Sequence, residues 1–473
     1  MSQQLSAAIA ALAAAEPADR DRLAELVGIA SVSSDPGRRA DLEASVHWVA
    51  EELRRLSFTD VTVHPVPAAG IAPALTARLD SPVPGAPTVL VYGHVDVQPV
   101  EPLALWDSAP YEVHERDGKL FGRGVTDDKG QLLMYLRAVE AAQQAGLDIP
   151  VNLLVLVDAE EEIGSPGLAT VLADNPWLGT AGVALVSDSP MFGVNQPAVG
   201  YSLRGLVYVE ATVTGLSGDL HSGQFGGAVP NAAAVAAELV AGLHDESGRV
   251  TVDGFYDEVL ELTAQERDRL AALPFQEGAW LSEIGAAEPV GERGFTSLER
   301  TWARPTLELN GITGGHGGPG PKTIVPATAT VKLSARLVPH QDPVRIAELV
   351  VAHLEKHAPS SVSIDCWYGI SSKPVLTPAD HATVAAAQQA LTRTWNEPTS
   401  LIRDGGTIPA VALLQEAFGM PTVLLGFGVP NENKHAPNEW LPVDHFRLAP
   451  QAILRLLLAL PEALREPGTP PEN

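Results

Sequence analysis

Thr88-Val89-Leu90-Val91-Tyr92-Gly93-His94-Val95-Asp96 is the stretch whose reading decides the fold. Residues 88–92 are apolar or β-branched and read as a buried strand. The run leads straight into Gly93, His94 and Asp96. A histidine two residues before an aspartate, at the C-terminal end of a buried strand, has two readings. It is a core histidine satisfied by a neighbour, or a metal ligand whose nearby carboxylate orients it. These nine residues leave both open, so partners must come from elsewhere in the chain.

Composition narrows the field. At 473 residues the chain is too long for one compact core, which implies two domains. Hydrophobic residues make up 45 %, enough to bury such cores. The net charge of −27 argues against nucleic acid, which needs Lys and Arg to neutralise phosphates, and against an anionic membrane surface. The lone cysteine, Cys366, rules out an intramolecular disulfide or a cysteine-based zinc site and fits a reducing cytoplasm. Residues 1–15 are Ala-rich but lack a basic start and a strong apolar centre, so they read as a helix and not as a signal peptide. No apolar run reaches the ~18 residues that would span a bilayer. Residues 453–460, interrupted by Arg455, read as a core helix.

The first 200 residues alternate between helix and strand. Leu23, Leu26 and Val27 mark one amphipathic helix; Leu42, Val46, Val49, Leu53 and Leu56 mark another. Strands are expected around residues 61–63, 88–92, 119–121, 151–157 and 183–186. A helix over residues 131–145 follows, with Asp128 as a candidate cap. This alternation predicts an α/β fold, a mainly parallel sheet flanked by helices. It resumes from residue 378, with a strand at 421–425. Between them the texture changes. Strands at 206–213, 306–309, 328–338 and 362–368, with helices at 231–243 and 343–357, spell the ferredoxin-like βαββαβ unit. The expectation is a sheet domain over residues 1–200 and 378–473, interrupted by an inserted α+β ferredoxin-like domain over 201–377. Residues 466–473 read as a frayed tail.

The candidate acidic and histidine residues share a place: His94, Glu161, Glu162, Asp188 and His435 all follow expected strands. In open α/β sheets the C-terminal strand ends are where sites form. Singly, each has an ordinary reading: a solvated Glu160-Glu161-Glu162 loop, a turn at Asp188, a helix cap at Asp127-Asp128. Several carboxylates brought to one buried edge, however, need cations to balance them. Imidazole and carboxylate donors without thiolate suit zinc, manganese or cobalt. The natural use is two metals sharing a carboxylate and activating a water.

Four stretches carry a resemblance. They are Gly93-His94-Val95-Asp96-Val97, Gly122-Arg123-Gly124 through Asp127-Asp128-Lys129-Gly130, Glu161-Glu162-Ile163-Gly164-Ser165, and Asp219-Leu220-His221-Ser222-Gly223. In this order they resemble the two-metal amidohydrolase family of carnosinases, aminoacylases, carboxypeptidases and succinyl-diaminopimelate desuccinylases. The continuation Phe225-Gly226-Gly227 looks most like the carnosinase and non-specific dipeptidase branch. The resemblance implies that Asp127 bridges two metals, with His94 and Asp188 on one and Glu162 and His435 on the other. It makes Glu161 the general base and Asp96 the support behind His94. In the family the peptide matching Asp127-Asp128 is often cis. The histidine matching His221 reaches across a dimer to the partner's oxyanion, so a homodimer through the inserted domain is implied. Thr323, Arg336, Gly406 and Thr407 match substrate-contacting positions, Arg336 pairing with a free substrate carboxylate. On its own residues, Arg336 equally reads as half of a surface ion pair.

Asp404, Thr407 and Ile370 depart from the dipeptidase pattern, which usually has Glu, Ser and often a substrate-contacting His there. The glycine-rich run 314–323 imitates a phosphate loop, but Pro321 separates its last glycine from Lys322. The expected function is two-metal hydrolysis of dipeptides or short peptides with a free C-terminus. An N-acyl amino acid deacylase or carboxypeptidase of the same family is the alternative, and a non-catalytic metal-binding scaffold a remote one.

Overall fold

A computed structural model describes residues 2–65 and 71–465 of the chain. The expected tail at 466–473 lies outside the described residues. Contacts divide the chain into two compact units: Met1–Ser202, Leu376–Ile402 and Ile408–Asn473 form the first, Leu203–Val375 and Arg403–Thr407 the second.

The first unit is built on one mixed sheet. Four strands at its centre run parallel, in the order Asn152–Asp158, Thr88–His94, Val183–Val186, Thr422–Leu424. Ala74–Leu79 and Thr59–His64 add antiparallel on one flank. Ala198–Leu203 adds antiparallel on the other, Gly200 opposite Leu424. The register places His94 opposite Asp158 and Tyr92 opposite Val186, so the central strands deliver their C-terminal ends to one edge. Both faces of these strands are buried. Val89, Val91, Val155, Val157 and Leu185 join one large apolar cluster. The intervening Leu90, Leu154, Leu156, Ala184 and Val186 are equally buried. That burial, which the crossover helices of a parallel sheet impose, is why the strands read as near-continuous apolar runs. Helix Lys129–Gln144 is enclosed by Ser2–Val27 and Val443–Ala463, and Ala382–Trp395 packs on Val443–Ala463.

Ala74–Leu79, Ala198–Leu203 and Ser400–Asp404 are strands that the sequence pattern does not mark; in the first, Thr76 and Arg78 hide the period, and pairing with Asn152–Asp158 imposes it. Asp128 does sit at the N-cap of Lys129–Gln144, but its side chain makes no cap bond. Its carboxylate instead accepts the backbone N–H of His94 at 3.2 Å.

The second unit is a four-stranded antiparallel sheet ordered Thr306–Gly314, Thr328–Leu337, Gly205–Thr214, Ser363–Ser372. This is the ferredoxin-like order. Val207, Val209, Ala211 and Val213 alternate with half-buried residues and pack, with Val331 and Leu333, against Val235 and Leu239 of helix Ala232–Ala241 and Ile346 and Val350 of helix Pro343–His357. The polar stretch before the second strand folds into Ala264–Ala271, Glu277–Glu283 and Ser297–Trp302, the last opened by a capping box of Thr296 and Glu299. Among the described residues no helix is long and apolar enough to cross a membrane.

Candidate metal centre

His94 is the last residue of strand Thr88–His94 and fully buried. Gly93 before it has no room for a side chain, because a Cβ would lie 2.9 Å from Asp128 Oδ2 and 3.1 Å from Leu132 Cδ1. Helix Lys129–Gln144 can therefore start directly against the strand end. Asp127 precedes that helix, and its peptide bond to Asp128 is cis. Asp188 lies two residues beyond Val183–Val186, and Glu161 and Glu162 open the short turn Glu161–Ile163 beyond Asn152–Asp158. His435 comes from the loop after Thr422–Leu424, where it holds a left-handed backbone with φ 58°.

These side chains meet. His94 Nε2 is 3.0 Å from Asp127 Oδ1 and 3.8 Å from Asp188 Oδ2. His435 Nε2 is 3.2 Å from Asp127 Oδ2 and 3.1 Å from Glu162 Oε2. The two oxygens of Asp127 thus face two donor sets, His94–Asp127–Asp188 and Asp127–Glu162–His435. Within each set the donor atoms lie within 4.8 Å of one another.

Further residues fix the donors. Asp96 holds two of them, His94 and Glu162, together with Glu161: His94 Nδ1 lies 3.1 Å from its backbone oxygen and 3.3 Å from Oδ1, while Glu161 N donates to Oδ1 at 3.1 Å and Glu162 N to Oδ2 at 3.0 Å. Gln98 Nε2 donates to Glu162 Oε2 at 2.9 Å. Glu439, fully buried, accepts from the backbone N–H groups of Gly124, Thr126 and Asp127 and from Arg123 Nη1 at 2.7 Å, which shapes the loop carrying Asp127. Lys434 Nζ donates to Asp188 Oδ1 at 2.9 Å. Glu160 stands apart from its two neighbours: it is buried, accepts from Ala72 N at 2.6 Å, and burial pushes its carboxyl up to about 7. Arg123 lies within the Gly122-Arg123-Gly124 motif, but Gln98, Lys434 and Glu439 carry no sequence signal as supports. They act through partners tens to hundreds of residues away.

The electrostatics fit bound cations. Burial, then the charges of Asp188, Asp127 and Glu162, push the Glu161 carboxyl well above the usual carboxylate range. Burial and neighbouring carboxylates raise Asp188 and Glu162 as well. Burial opposes the charge on Asp127, yet Lys434, His435 and His94 together hold it well below the usual range. Hydrogen bonds to Asp127 and Glu162 lift His435 to about 10. Burial works against protonated His94, but Asp127 and Asp96 raise it well above its ordinary value. The cluster therefore gathers positive charge onto its imidazoles, as a surplus of buried carboxylate demands. Oxygen and imidazole nitrogen donors of this kind suit divalent cations.

The remaining candidates belong to the second unit. His221 ends the short strand Leu220–His221, which pairs with Ile324–Val325, so His221 and Thr323 are neighbours; Ser222 N donates to Thr323 O at 3.0 Å. His221 is exposed, and its Nδ1 accepts from Gly223 N at 3.0 Å. Arg336 Nη1 donates to Thr407 Oγ1 at 2.9 Å, and that hydroxyl donates to Arg204 O at 2.7 Å. Arg204 N in turn donates to Gly406 O at 3.0 Å, which draws Arg336, Gly406 and Thr407 together. Ile370 is 71 % exposed on strand Ser363–Ser372.

A mainly parallel sheet with paired cation donor sets at its strand ends is the architecture of a metal-dependent hydrolase. The chain belongs to peptidase family M20/M25/M40, whose profile matches residues 90–459. It is similar to the Cys-Gly metallodipeptidase DUG1 of Candida albicans, 31 % identical over 444 residues that cover 90 % of this chain and 91 % of that one. It is likewise similar to the Beta-Ala-His dipeptidase of Homo sapiens, 31 % identical over 423 residues, 86 % of this chain and 83 % of the relative. Among solved structures, the M20 family metallo-carboxypeptidase Sso-CP2 from Sulfolobus solfataricus superposes with a TM-score of 0.83 at 27 % identity, covering 94 % of this chain and 99 % of the other. The family and its dipeptidase branch are those the four motifs pointed to.

Proposed function

We propose that this chain is a cytoplasmic dipeptidase that cleaves dipeptides or short peptides with a free C-terminal carboxylate, using two divalent cations. The observation that carries the proposal is the shared carboxylate: Asp127 offers one oxygen to His94 and the other to His435. His94, Asp127 and Asp188 would hold one cation, and Asp127, Glu162 and His435 the other. Zinc suits these donors best, with manganese or cobalt as substitutes. When bound, the pair supplies Lewis acidity that lowers the pKa of a water and polarises the scissile carbonyl.

The chain's own residues do the rest. Glu161 takes the proton of the attacking water as its oxygen adds to the carbonyl carbon. It gives that proton to the amine nitrogen as the C–N bond breaks. Glu161 has to enter the cycle as the carboxylate, since only the ionised form can take the water's proton. Asp96 keeps Glu161 and Glu162 in place through their backbone amides. Arg336, Thr407 and Gly406 would hold the substrate carboxylate, and Thr323 the substrate backbone. His221 would stabilise the oxyanion from a second copy of the chain. On this reading the first unit is the metal-binding catalytic domain, and the second a lid through which a homodimer forms. The cytoplasmic placement is supported by the lone Cys366.

Glu161→Gln should abolish turnover while both cations still bind; retained turnover would refute the role of Glu161. Ile370 and the likeness to a metallo-carboxypeptidase favour a second reading, in which longer peptides or N-acyl amino acids are the substrates. A panel of dipeptides, longer peptides and N-acyl amino acids separates the two. Preference for dipeptides supports the first.

A further inference from the structure

Two histidines of the second unit take no part in the metal centre. His353 and His357 lie one turn apart at the C-terminal end of helix Pro343–His357, and their rings meet, with centroids 4.1 Å apart. At that spacing both side chains leave the same face of the helix. His357 Nδ1 is 2.8 Å from the backbone oxygen of His353. A carbonyl can only accept, so Nδ1 carries the proton and Nε2 is the nitrogen left to ligate. Burial, then the neighbouring His357, lower His353 below its ordinary value against the charge of Asp253. His353 is therefore neutral at pH 7, the state that ligates a metal.

Both rings border a cavity of about 320 Å³. It lies where helices Ala232–Ala241 and Pro343–His357 both end. Glu238 and Leu239 line it from the first, Lys356 and the two histidines from the second, and Asp253 from the chain that follows the first. Two helix C-termini bring the negative ends of two dipoles to one place. Glu238 and Asp253 add two carboxylates. Lys356 returns one positive charge, its Nζ 3.1 Å from Asp253 Oδ2. Carboxylates and dipoles alone would suit any cation. The imidazoles select one that prefers nitrogen, such as Zn²⁺ over Mg²⁺ or Ca²⁺. The Lys356 side chain is 65 % exposed, so it can leave Asp253 for solvent when such a cation arrives.

We propose that His353 and His357, with Asp253 as third donor, form a peripheral site for one exchangeable divalent transition ion of the Zn²⁺ class. The site is built wholly from second-unit residues and shares no donor with the metal centre, so it stands or falls apart from the reading of that centre.

The test is equilibrium dialysis of the holoenzyme against Zn²⁺, with bound metal counted by mass spectrometry at matched free Zn²⁺. The wild type should hold one more Zn²⁺ than His353→Gln or His357→Gln, whatever number the metal centre holds. Each variant should bind that ion at least about tenfold more weakly. Turnover should be unchanged in both, which also shows that they are folded. Asp253→Asn should weaken the extra ion, and Lys356→Met, which removes the competing charge, should tighten it. Equal Zn²⁺ content in the wild type and both histidine variants overturns the site. Displacement of the extra ion by equimolar Ca²⁺ overturns its assignment to the imidazoles. If Zn²⁺ content and turnover fall together, the ion lost is one of the metal centre's, and the proposal is overturned as well.

Discussion

Replacing Asp96 by Asn separates its two tasks. The side chain supports His94 and also holds the turn that carries Glu161 and Glu162. In Asp96→Asn the backbone carbonyl still faces His94 Nδ1 at 3.1 Å, so the ring keeps a partner. The turn does not fare so well. Glu161 N and Glu162 N each donate to a different carboxylate oxygen, at 3.1 and 3.0 Å. An amide has only one oxygen, so one N–H is left facing another N–H. Losing a hydrogen bond to a charged acceptor costs about 1.5–3 kcal/mol. With a factor of ten for each 1.4 kcal/mol, cation affinity should fall by about ten- to a hundredfold. The loss should fall on the Asp127–Glu162–His435 position and spare the one at His94. Competition titration of the metal-free variant with a chelator measures it, and turnover under saturating metal is measured separately. A fall in turnover with unchanged affinity would place the effect on Glu161 instead of Glu162. If affinity and turnover both stay within about twofold of wild type, the inference that Asp96 organises the turn is wrong.

Glu439→Gln keeps one oxygen for Gly124, Thr126 and Asp127 but leaves Arg123 buried without its carboxylate, facing an amide NH2 in place of Oε2. It should destabilise the metal-free protein by about 3–5 kcal/mol in urea unfolding; an unchanged midpoint would refute the role assigned to it. Metal uptake should release protons, because His435 stays protonated up to about pH 10 in the metal-free protein. Protons held at neutral pH compete with the cation, so affinity should rise from pH 6 to pH 8; calorimetry in buffers of different ionisation enthalpy should show the release, and its absence would contradict the assigned protonation states. Mixing inactive His221→Ala and Glu161→Ala proteins should restore partial activity if His221 acts across a dimer. No recovery despite demonstrated subunit exchange would place it in its own chain's site.

The sequence disclosed this fold where burial was symmetrical. Residues 152–158 and 183–186 are buried on both faces, and apolar runs are all such strands can be. Ala74–Leu79 was hidden because Thr76 is buried at a position where composition suggested solvent; its partner Leu156 supplies the reason, and that residue is 80 positions away. The donors were readable for a related reason. A histidine or carboxylate at the end of an apolar strand is an anomaly in the local pattern, and His94, Glu162 and Asp188 all occupy such places. Their supports are not anomalies. A lysine before His435 and a glutamate four residues after it look like any solvated loop, yet they lie against Asp188 and Asp127.

Asp128 shows the same limit from the opposite side. An aspartate before a helix is a sound local prediction of a cap, and here the local geometry lost to a distant donor, His94 N. That exchange ties the helix start to the strand end that carries the ligand. It also adds another buried carboxylate to the edge, raised well above its ordinary range first by burial and also by Asp188 and Asp127. Asp127, Asp128, Glu161, Glu162 and Asp188 therefore share one small region, with His94, His435 and Lys434 as their cationic neighbours. An edge so charged is less stable empty than filled. Any cation that binds the folded form stabilises it by RT ln(1 + [L]/Kd), so the donor arrangement that serves hydrolysis also couples the fold of the first unit to its metal.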